Sequence, residues 1–287
     1  MLRRFRLEEP ESVKEVSELL GRFGESAKLY AGGTELLLAM KEGLVRYERL
    51  INVKKIKGLN EVSVDNGTIR IGALSTHHQL EISPVLKQHL PSFVKLEENV
   101  ANVRVREAGT IGGNLCFAEP HADPGTLLIS LGARLVAEKM ISRREVAAES
   151  FFVDAYETCL EPDEVLTEIQ VSVPAGRSGI TYMKFGYLER PSVGVAVAVT
   201  LNGGGKSVGD IKIAVGCAGP APRRVPEAED ILRGKSTAEA LRNIAKAGEA
   251  AAKAAQAISD LHGSQEYKEH IIGVLLKRAF QNALSQC

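Results

Sequence analysis

The sequence predicts an α+β fold, in which strands cluster in runs and helices in other runs, rather than a doubly wound sheet. Three observations carry this. Around Asn66-Gly67 the stretch EVSVDNGTIRIGA alternates apolar and polar residues, and Asn-Gly accepts positive φ at both corners of a type I′ turn, which predicts a β-hairpin. Towards the C-terminus TYMKFGY, GVAVAVTLN and DIKIAVGCAG read as three strands of an antiparallel meander, followed by two long helices. Between these regions VPAGRSG, residues 173–179, reads as a linker, so a domain boundary is expected there.

Taken in order, Ser12 and Glu15 stand in capping-box spacing, and Val13, Val16, Leu19, Leu20 and Phe23 recur on one helical face, predicting a helix over 12–23. KLYAGG reads as a short strand entering paired glycines, and ELLLAMKEG as a helix stopped near Gly43. After the hairpin, Thr76 and Gln79 form a second capping-box pair, and residues 91–102 read as helical. Asp123 followed by Pro124 suits an N-cap and first helical position for DPGTLLISLGA. RLVAEK and VLTEIQVSVP read as strands, and Ser236 with Glu239 opens the first of the two closing helices, with QEYKEHIIGVLLKRAFQNAL as the second.

Composition excludes several classes of function. Apolar residues make up 44% and charged residues 25%, and 36 basic residues balance 36 acidic ones, so there is no footprint for nucleic acid or an anionic membrane. MLRRFRLEEPESV lacks the apolar core of a signal peptide and no apolar run is long enough to span a bilayer; the expected location is the cytoplasm. Cys116, Cys159, Cys217 and Cys287 are widely spaced, which signals neither a disulfide framework nor a metal cluster. His77 and His78 are adjacent and poorly placed to share a metal on one helix face, and no HExxH or Gly-x-Ser-x-Gly spacing occurs. NGGGKS at 202–207 has Thr200 where a phosphate-binding P-loop needs glycine, so it reads as a hairpin turn. No GxGxxG follows a strand, so a Rossmann dinucleotide site is not indicated.

Two segments remain, AGGTEL at 31–36 and GTIGGNLC at 109–116. Each sets a glycine pair beside hydroxyl or amide side chains near a helix start. Each is therefore either an ordinary turn or a cradle of free backbone N–H groups for phosphate oxygens, and a ligand with a central diphosphate could use both.

AGGTELL, LINVKKIKGLNEV, IRIGALSTHHQLEISP, VRVREAGTIGGNLC, AEPHADP and EVLTEI, in this order, resemble the FAD-binding subunits of molybdenum hydroxylases, the family of aerobic carbon monoxide dehydrogenase medium subunits and of the xanthine dehydrogenase flavin domain. The resemblance runs over essentially the whole chain. It implies a vanillyl-alcohol-oxidase (PCMH) type FAD-binding domain over 1–175, in subdomains of about 1–57 and 58–175, and a flavoprotein C-terminal domain over 178–287. By position, Leu29, Tyr30, Ala31, Gly32, Gly33, Thr34, Glu35 and Leu36 match the family's first pyrophosphate loop, and Thr110, Ile111, Gly112, Gly113 and Asn114 the second. A side chain at Gly112 or Gly113 would then obstruct the diphosphate. Asp123 matches an aspartate that contacts the sugar-like chain of the flavin, while Val100, Leu166 and Lys184 match neighbours of the isoalloxazine, where a lysine stabilises reduced flavin near N1.

The chain departs from the family at GYLERPSVG, where relatives carry an Arg-rich stretch; Tyr187 there is either a stacking residue or an ordinary tyrosine. Glu107 replaces a frequent Asn, His121 replaces a small residue, and the extra iron–sulfur insertion of the benzoyl-CoA reductase branch is absent. The implied function is an electron relay with no catalytic acid or base of its own. Electrons from a large molybdopterin subunit would pass through a small [2Fe–2S] subunit to FAD and on to an external acceptor, in a dimer of heterotrimers. Two rivals stand beside it: a stand-alone flavin oxidase or dehydrogenase, and an assembly subunit with a degenerate flavin site.

Overall fold

A computed structural model describes residues 2–174, 176–186, 190–202 and 204–287. The chain opens with β1 (Arg6–Glu8), α1 (Val13–Phe23), β2 (Ala27–Tyr30), α2 (Leu36–Glu42) and β3 (Arg49–Asn52), and the strands form a parallel sheet of order β1-β3-β2. The Ser12 hydroxyl accepts from the Glu15 N–H as its spacing predicts, and Val16, Leu20, Ala27 and Ile51 bury the amphipathic face of α1 on this sheet. Gly43 ends α2 in the left-handed conformation at φ 78°, which glycine adopts without a Cβ penalty.

The second layer begins with β4 (Val62–Asp65) and β5 (Thr68–Gly72), joined by Asn66 at φ 47° and Gly67 at φ 75°, the pair of positive values the dipeptide predicts. A run of short helices follows: α3 (His77–Ile82), α4 (Pro84–His89), α5 (Pro91–Glu97), α6 (Val103–Ala108), α7 (Ile111–Phe117) and α8 (Pro124–Ser130). The chain returns through β6 (Arg134–Lys139), β7 (Ser142–Ala147), α9 (Ala148–Phe151), β8 (Phe152–Asp154), β9 (Glu157–Thr158) and β10 (Val165–Ser172). The order β4-β5-β10-β6-β7 makes an antiparallel five-stranded sheet, and the helices pack Leu80, Leu86, Phe93, Ile111 and Leu127 into its core.

Two expectations are corrected here. The helical reading of 91–102 is interrupted: α5 stops at Glu97, the chain turns through Ala101 at φ 45°, and the Asn102 side chain caps a new helix. Asp123 does begin α8, but its side chain makes no capping bond.

The last third comprises β11 (Ser178–Phe185), β12 (Val193–Asn202), β13 (Ser207–Gly216), β14 (Arg223–Arg224), α10 (Pro226–Leu232), α11 (Thr237–Ala254) and α12 (Gln265–Gln286). The expected three-stranded meander is present and is extended by the two-residue β14. NGGGKS lies in the β12–β13 connection as a hairpin, with Gly203 outside the described residues. Alternate residues Val195, Val197 and Val199 bury one sheet face against Ile272, Leu276 and Phe280 of α12. Gly179 is bare because a Cβ there would lie 1.8 Å from the Ala283 carbonyl oxygen, so α12 rests directly on β11. Under α10 the fully buried Glu229 accepts from Arg224, Arg233 and the Ile213 N–H, which satisfies its charge.

Candidate functional site

The first glycine loop leaves the C-terminal end of β2 and feeds α2. Gly33 takes φ +74°, and the Tyr30 ring folds over it so closely that a Cβ would meet Cε2 at 2.3 Å. Lys54 stands 4.1 Å above the same ring as a cation–π partner. Among the described residues the N–H groups of Gly32, Gly33, Thr34 and Glu35 have no protein acceptor. A row of successive unsatisfied N–H groups in a partly buried turn suits an anion.

The second glycine segment is not an open loop. Thr110 caps α7 by accepting from the Gly113 N–H at 3.1 Å, and the segment pairs edge to edge with Ala73–His77. Ile111 N–H donates to Ser75 O, Gly112 N–H to Ala73 O, Asn114 N–H to Thr110 O, and His77 N–H to Gly109 O. The expectation that this segment offers free N–H groups is therefore corrected: its first-turn donors are taken by protein oxygens, and the open donors belong to the first loop. Gly112 is bare for the same reason, since a Cβ would lie 2.6 Å from Ala73 O. At Gly113 a Cβ would touch Thr110 Oγ1 alone, at 2.9 Å, so that position faces more open space.

The two segments, far apart in sequence, meet. A Cβ on Gly32 would fall 2.3 Å from Ala108 O and 2.7 Å from Gly109 Cα, while one on Gly109 would come within 3.5 Å of Thr34 Oγ1. Backbone touches backbone at this crossing, and only glycine permits it. Beside it, the buried Asn114 Oδ1 and Ser75 Oγ have no hydrogen-bond partner. Orphaned buried oxygens call for a ligand or water, and together with the free N–H row they fit a ligand that carries both phosphate and hydroxyl groups.

The remaining predicted residues fall into two groups. Val100 and Leu166 belong to the apolar core of the second layer, with Leu166 beside a bulge in β10, and Leu29 packs against the core of the first. The buried Asp123 pairs with the partly exposed Lys184: Lys184 Nζ donates to Asp123 Oδ2 and to Asn99 O, each at 2.7 Å. Tyr182 OH donates to the other carboxylate oxygen at 2.5 Å. Asp123 thus spends both oxygens inside the protein, which is why it caps nothing. Burial pushes its carboxyl above the usual range, with Lys184 and Tyr182 offsetting part of the shift. Burial also drives the neighbouring Tyr182 hydroxyl and Cys217 thiol well up, with the Asp123 charge adding to both. Tyr187 lies outside the described residues.

His121 turns out to be a bridge. Its Nδ1 lies 3.0 Å from Glu119 Oε1 and its Nε2 3.2 Å from Asp260 Oδ2, which also accepts from the fully buried Lys268 at 2.5 Å. Arg190 continues the chain of charges, 3.7 Å from Glu119 and 3.5 Å from Glu35 in the first loop.

Sequence reasoning missed Tyr182, Asn99, and the pair His77 and Glu97. Tyr182 had an available signal, because it stands two positions before Lys184 on one strand and so shares its face. Glu97 had none, since its partner sits twenty residues away.

Residues 3–175 match the family model described as FAD binding domain in molybdopterin dehydrogenase, and 189–283 the one described as CO dehydrogenase flavoprotein C-terminal domain. The carbon monoxide dehydrogenase medium chain of Hydrogenophaga pseudoflava is 34% identical over 99% of this chain and 98% of its own. The nicotine 6-hydroxylase medium subunit of Paenarthrobacter nicotinovorans is 30% identical over 96% of this chain and 95% of its own. The solved structure of the Hydrogenophaga pseudoflava carbon monoxide dehydrogenase that lacks the Mo-pyranopterin moiety superposes with a TM-score of 0.95 at 34% identity, over 100% of this chain and 99% of that one. Quinoline 2-oxidoreductase from Pseudomonas putida 86 gives 0.91 at 26% identity, over 99% and 98%. The chain belongs to the FAD-binding subunits of the molybdopterin dehydrogenases, and its cofactor is FAD.

Proposed function

We propose that the crossing of the two glycine segments holds the FAD diphosphate, and that the chain works as the flavin relay of a molybdenum hydroxylase complex, in the cytoplasm. FAD supplies the redox chemistry when bound, receiving electrons from iron–sulfur clusters and giving them to an external acceptor. Gly32, Gly33, Thr34 and Glu35 present their N–H groups to the phosphate oxygens, and Asn114 and Ser75 offer side-chain oxygens to ligand hydroxyls. Lys184 stays on Asp123 and Asn99 O and fixes the turn that carries Val100, rather than reaching the ring as a free cation. Val100 and Leu166 provide the apolar wall against which a flat ring packs. Asp123, with both oxygens engaged, is a rigid anchor between the second layer and β11.

The free N–H row at the backbone crossing carries this reading. No helix among the described residues is long and apolar enough to cross a membrane. The relatives' standing as medium subunits supports partners of two kinds, a small iron–sulfur subunit and a large molybdopterin subunit; on this proposal the small one carries [2Fe–2S] clusters and the complex is a dimer of heterotrimers. Native co-purification with metal and flavin analysis tests it, with FAD, iron and molybdenum expected together. A chain that carries no flavin and takes up none on titration overturns it. Turnover of a substrate by the isolated chain would favour a stand-alone flavin enzyme instead.

A further inference from the structure

His77 and Glu97 form a buried pair that the reading above does not use. His77 Nδ1 lies 2.6 Å from Glu97 Oε2, with the side chains 3% and 0% exposed. Neither end of the pair is closed. Glu97 Oε1 is buried without a partner, and His77 Nε2 makes no hydrogen bond among the described residues. A purely structural histidine–carboxylate pair in a core is normally satisfied at both ends, because each open polar atom costs desolvation.

The ring also has a definite position. His77 donates its N–H to Gly109 O, at the start of α3. Its Cδ2, bonded to Nε2, lies 3.3 Å from the point where a Gly109 Cβ would sit, and Thr34 Oγ1 lies 3.5 Å from that same point. The unengaged edge of the imidazole therefore stands at the loop crossing, beside Thr34 of the free N–H row. Ser75 Oγ, the other orphan of this strand segment, lies two residues away in the chain.

We infer that His77, held by Glu97, is a cationic ligand for the cofactor diphosphate at the loop crossing, an inference that rests on the placement of FAD proposed above. A carboxylate at Nδ1 keeps a proton on that nitrogen, so Nε2 donates to an anion only as the imidazolium. Glu97 supplies the countercharge that makes a buried imidazolium tolerable, and it binds at Nδ1, leaving the Nε2 edge of the ring open. The N–H row of the first loop offers only neutral backbone dipoles, while Arg190 beside it is paired with Glu35 and Lys54 lies over the Tyr30 ring, so His77 adds a cation to the diphosphate at the crossing.

The full chain, stripped of flavin, is titrated with FAD as wild type, His77→Gln and Glu97→Gln. The loss expected for His77→Gln is about 10- to 100-fold in FAD affinity, the range of one charge-assisted hydrogen bond. Glu97→Gln is expected to weaken FAD as well, because it removes the countercharge. Two spectroscopic signatures separate contact from mere scaffolding. In the wild-type chain labelled with 15N-histidine, FAD shifts the Nε2 resonance of His77 to the imidazolium position, and the 31P resonances of bound FAD move in His77→Gln. Wild type that binds FAD with an unshifted His77 resonance, or His77→Gln that binds as tightly with unchanged 31P resonances, overturns the inference while leaving the cofactor site in place. Wild type that takes up no FAD overturns the site itself.

Discussion

Gly32→Ala is the sharpest test of the loop crossing. The added Cβ would sit 2.3 Å from Ala108 O, 2.7 Å from Gly109 Cα and 3.0 Å from Ala108 C, whereas ordinary contact begins at 3.4 Å. The backbones must therefore separate by about 1 Å, and no flexible side chain can absorb the shift. Overpacking costs about 1–3 kcal/mol, and with backbone on both sides the upper end applies. At about 2–4 °C per kcal/mol for a chain of this size, that is a fall of roughly 6 °C or more in the thermal midpoint of the flavin-free protein. Gly113→Ala provides the contrast, since its Cβ meets only the Thr110 hydroxyl. It should leave the flavin-free midpoint within about 2 °C, a cost under about 1 kcal/mol, and lower FAD affinity instead. Calorimetry on both flavin-free variants, followed by FAD titration, reads the two effects apart. A flavin-free Gly32→Ala chain that melts with wild type would refute the reasoning, for Gly32 would then be bare on behalf of the ligand alone.

The other predictions concern the buried charges and the sheet behind Asp123. Lys184→Met should cost about 2–3 kcal/mol, below the full figure for breaking a buried pair because Lys184 is partly exposed. The Asp123 carboxyl is already raised above 3.8, so its contribution to stability is full below that value and is lost as pH rises through its folded value. Removing Lys184 raises it further, so the deficit in urea unfolding should be larger at about pH 8 than at about pH 5; equal deficits would reject this. Burial opposes ionisation of Glu229, yet Arg224, the Ile213 N–H and Arg233 hold it below 4.5, so its stabilisation is present above 4.5 and lost as pH falls through the folded value. Glu229→Gln should therefore cost about 3 kcal/mol at neutral pH and progressively less below about pH 4, and a loss independent of pH would contradict it. Gly194→Ala places a Cβ 2.4 Å from Tyr182 OH, so it should destabilise the wild type more than a Tyr182→Phe background; a double-mutant cycle with additive costs would dismiss that coupling.

How far the fold was legible follows from where each signal resides. Period, caps and turn residues are local, and they located α1, the Asn66-Gly67 hairpin and the closing helices, each with a capping or corner residue doing what its chemistry requires. The helix that starts at Thr110 was hidden because two adjacent glycines, poor helix formers, sit in its first turn. What stabilises that turn is pairing with Ala73–His77, a contact between segments distant in the chain. The same limit applied to the site. Glycine pairs announced close approach, but not to what: at Gly32 and Gly112 the neighbour is protein backbone, and at Gly113 it is the Thr110 hydroxyl alone. Asp123 was visible as a residue, while its partners Tyr182 and Lys184 come from a strand about sixty residues later.

That long-range partnership brings the C-terminal sheet against Asp123. Gly194 and Gly216 face each other across β12 and β13, leaving these two strands without side chains at that rung, next to Lys184 of β11. Tyr182 crosses the bare surface at Gly194, and Thr126 of α8 enters it at Gly216, where a Cβ would lie 1.9 Å from Thr126 Oγ1. The glycine rung is thus a socket that lets the sheet approach the start of α8, where Asp123 stands. Tyr182 and Lys184 then reach Asp123 and Asn99 from above, and the His121 bridge to Asp260 ties the neighbouring segment to the same domain. Without the sheet, the buried carboxylate would lose both of these hydrogen-bond donors and the turn at Asn99 its cationic anchor. The C-terminal sheet is thus tied electrostatically to the second layer at Asp123, while the glycine crossing lies wholly in the first two layers.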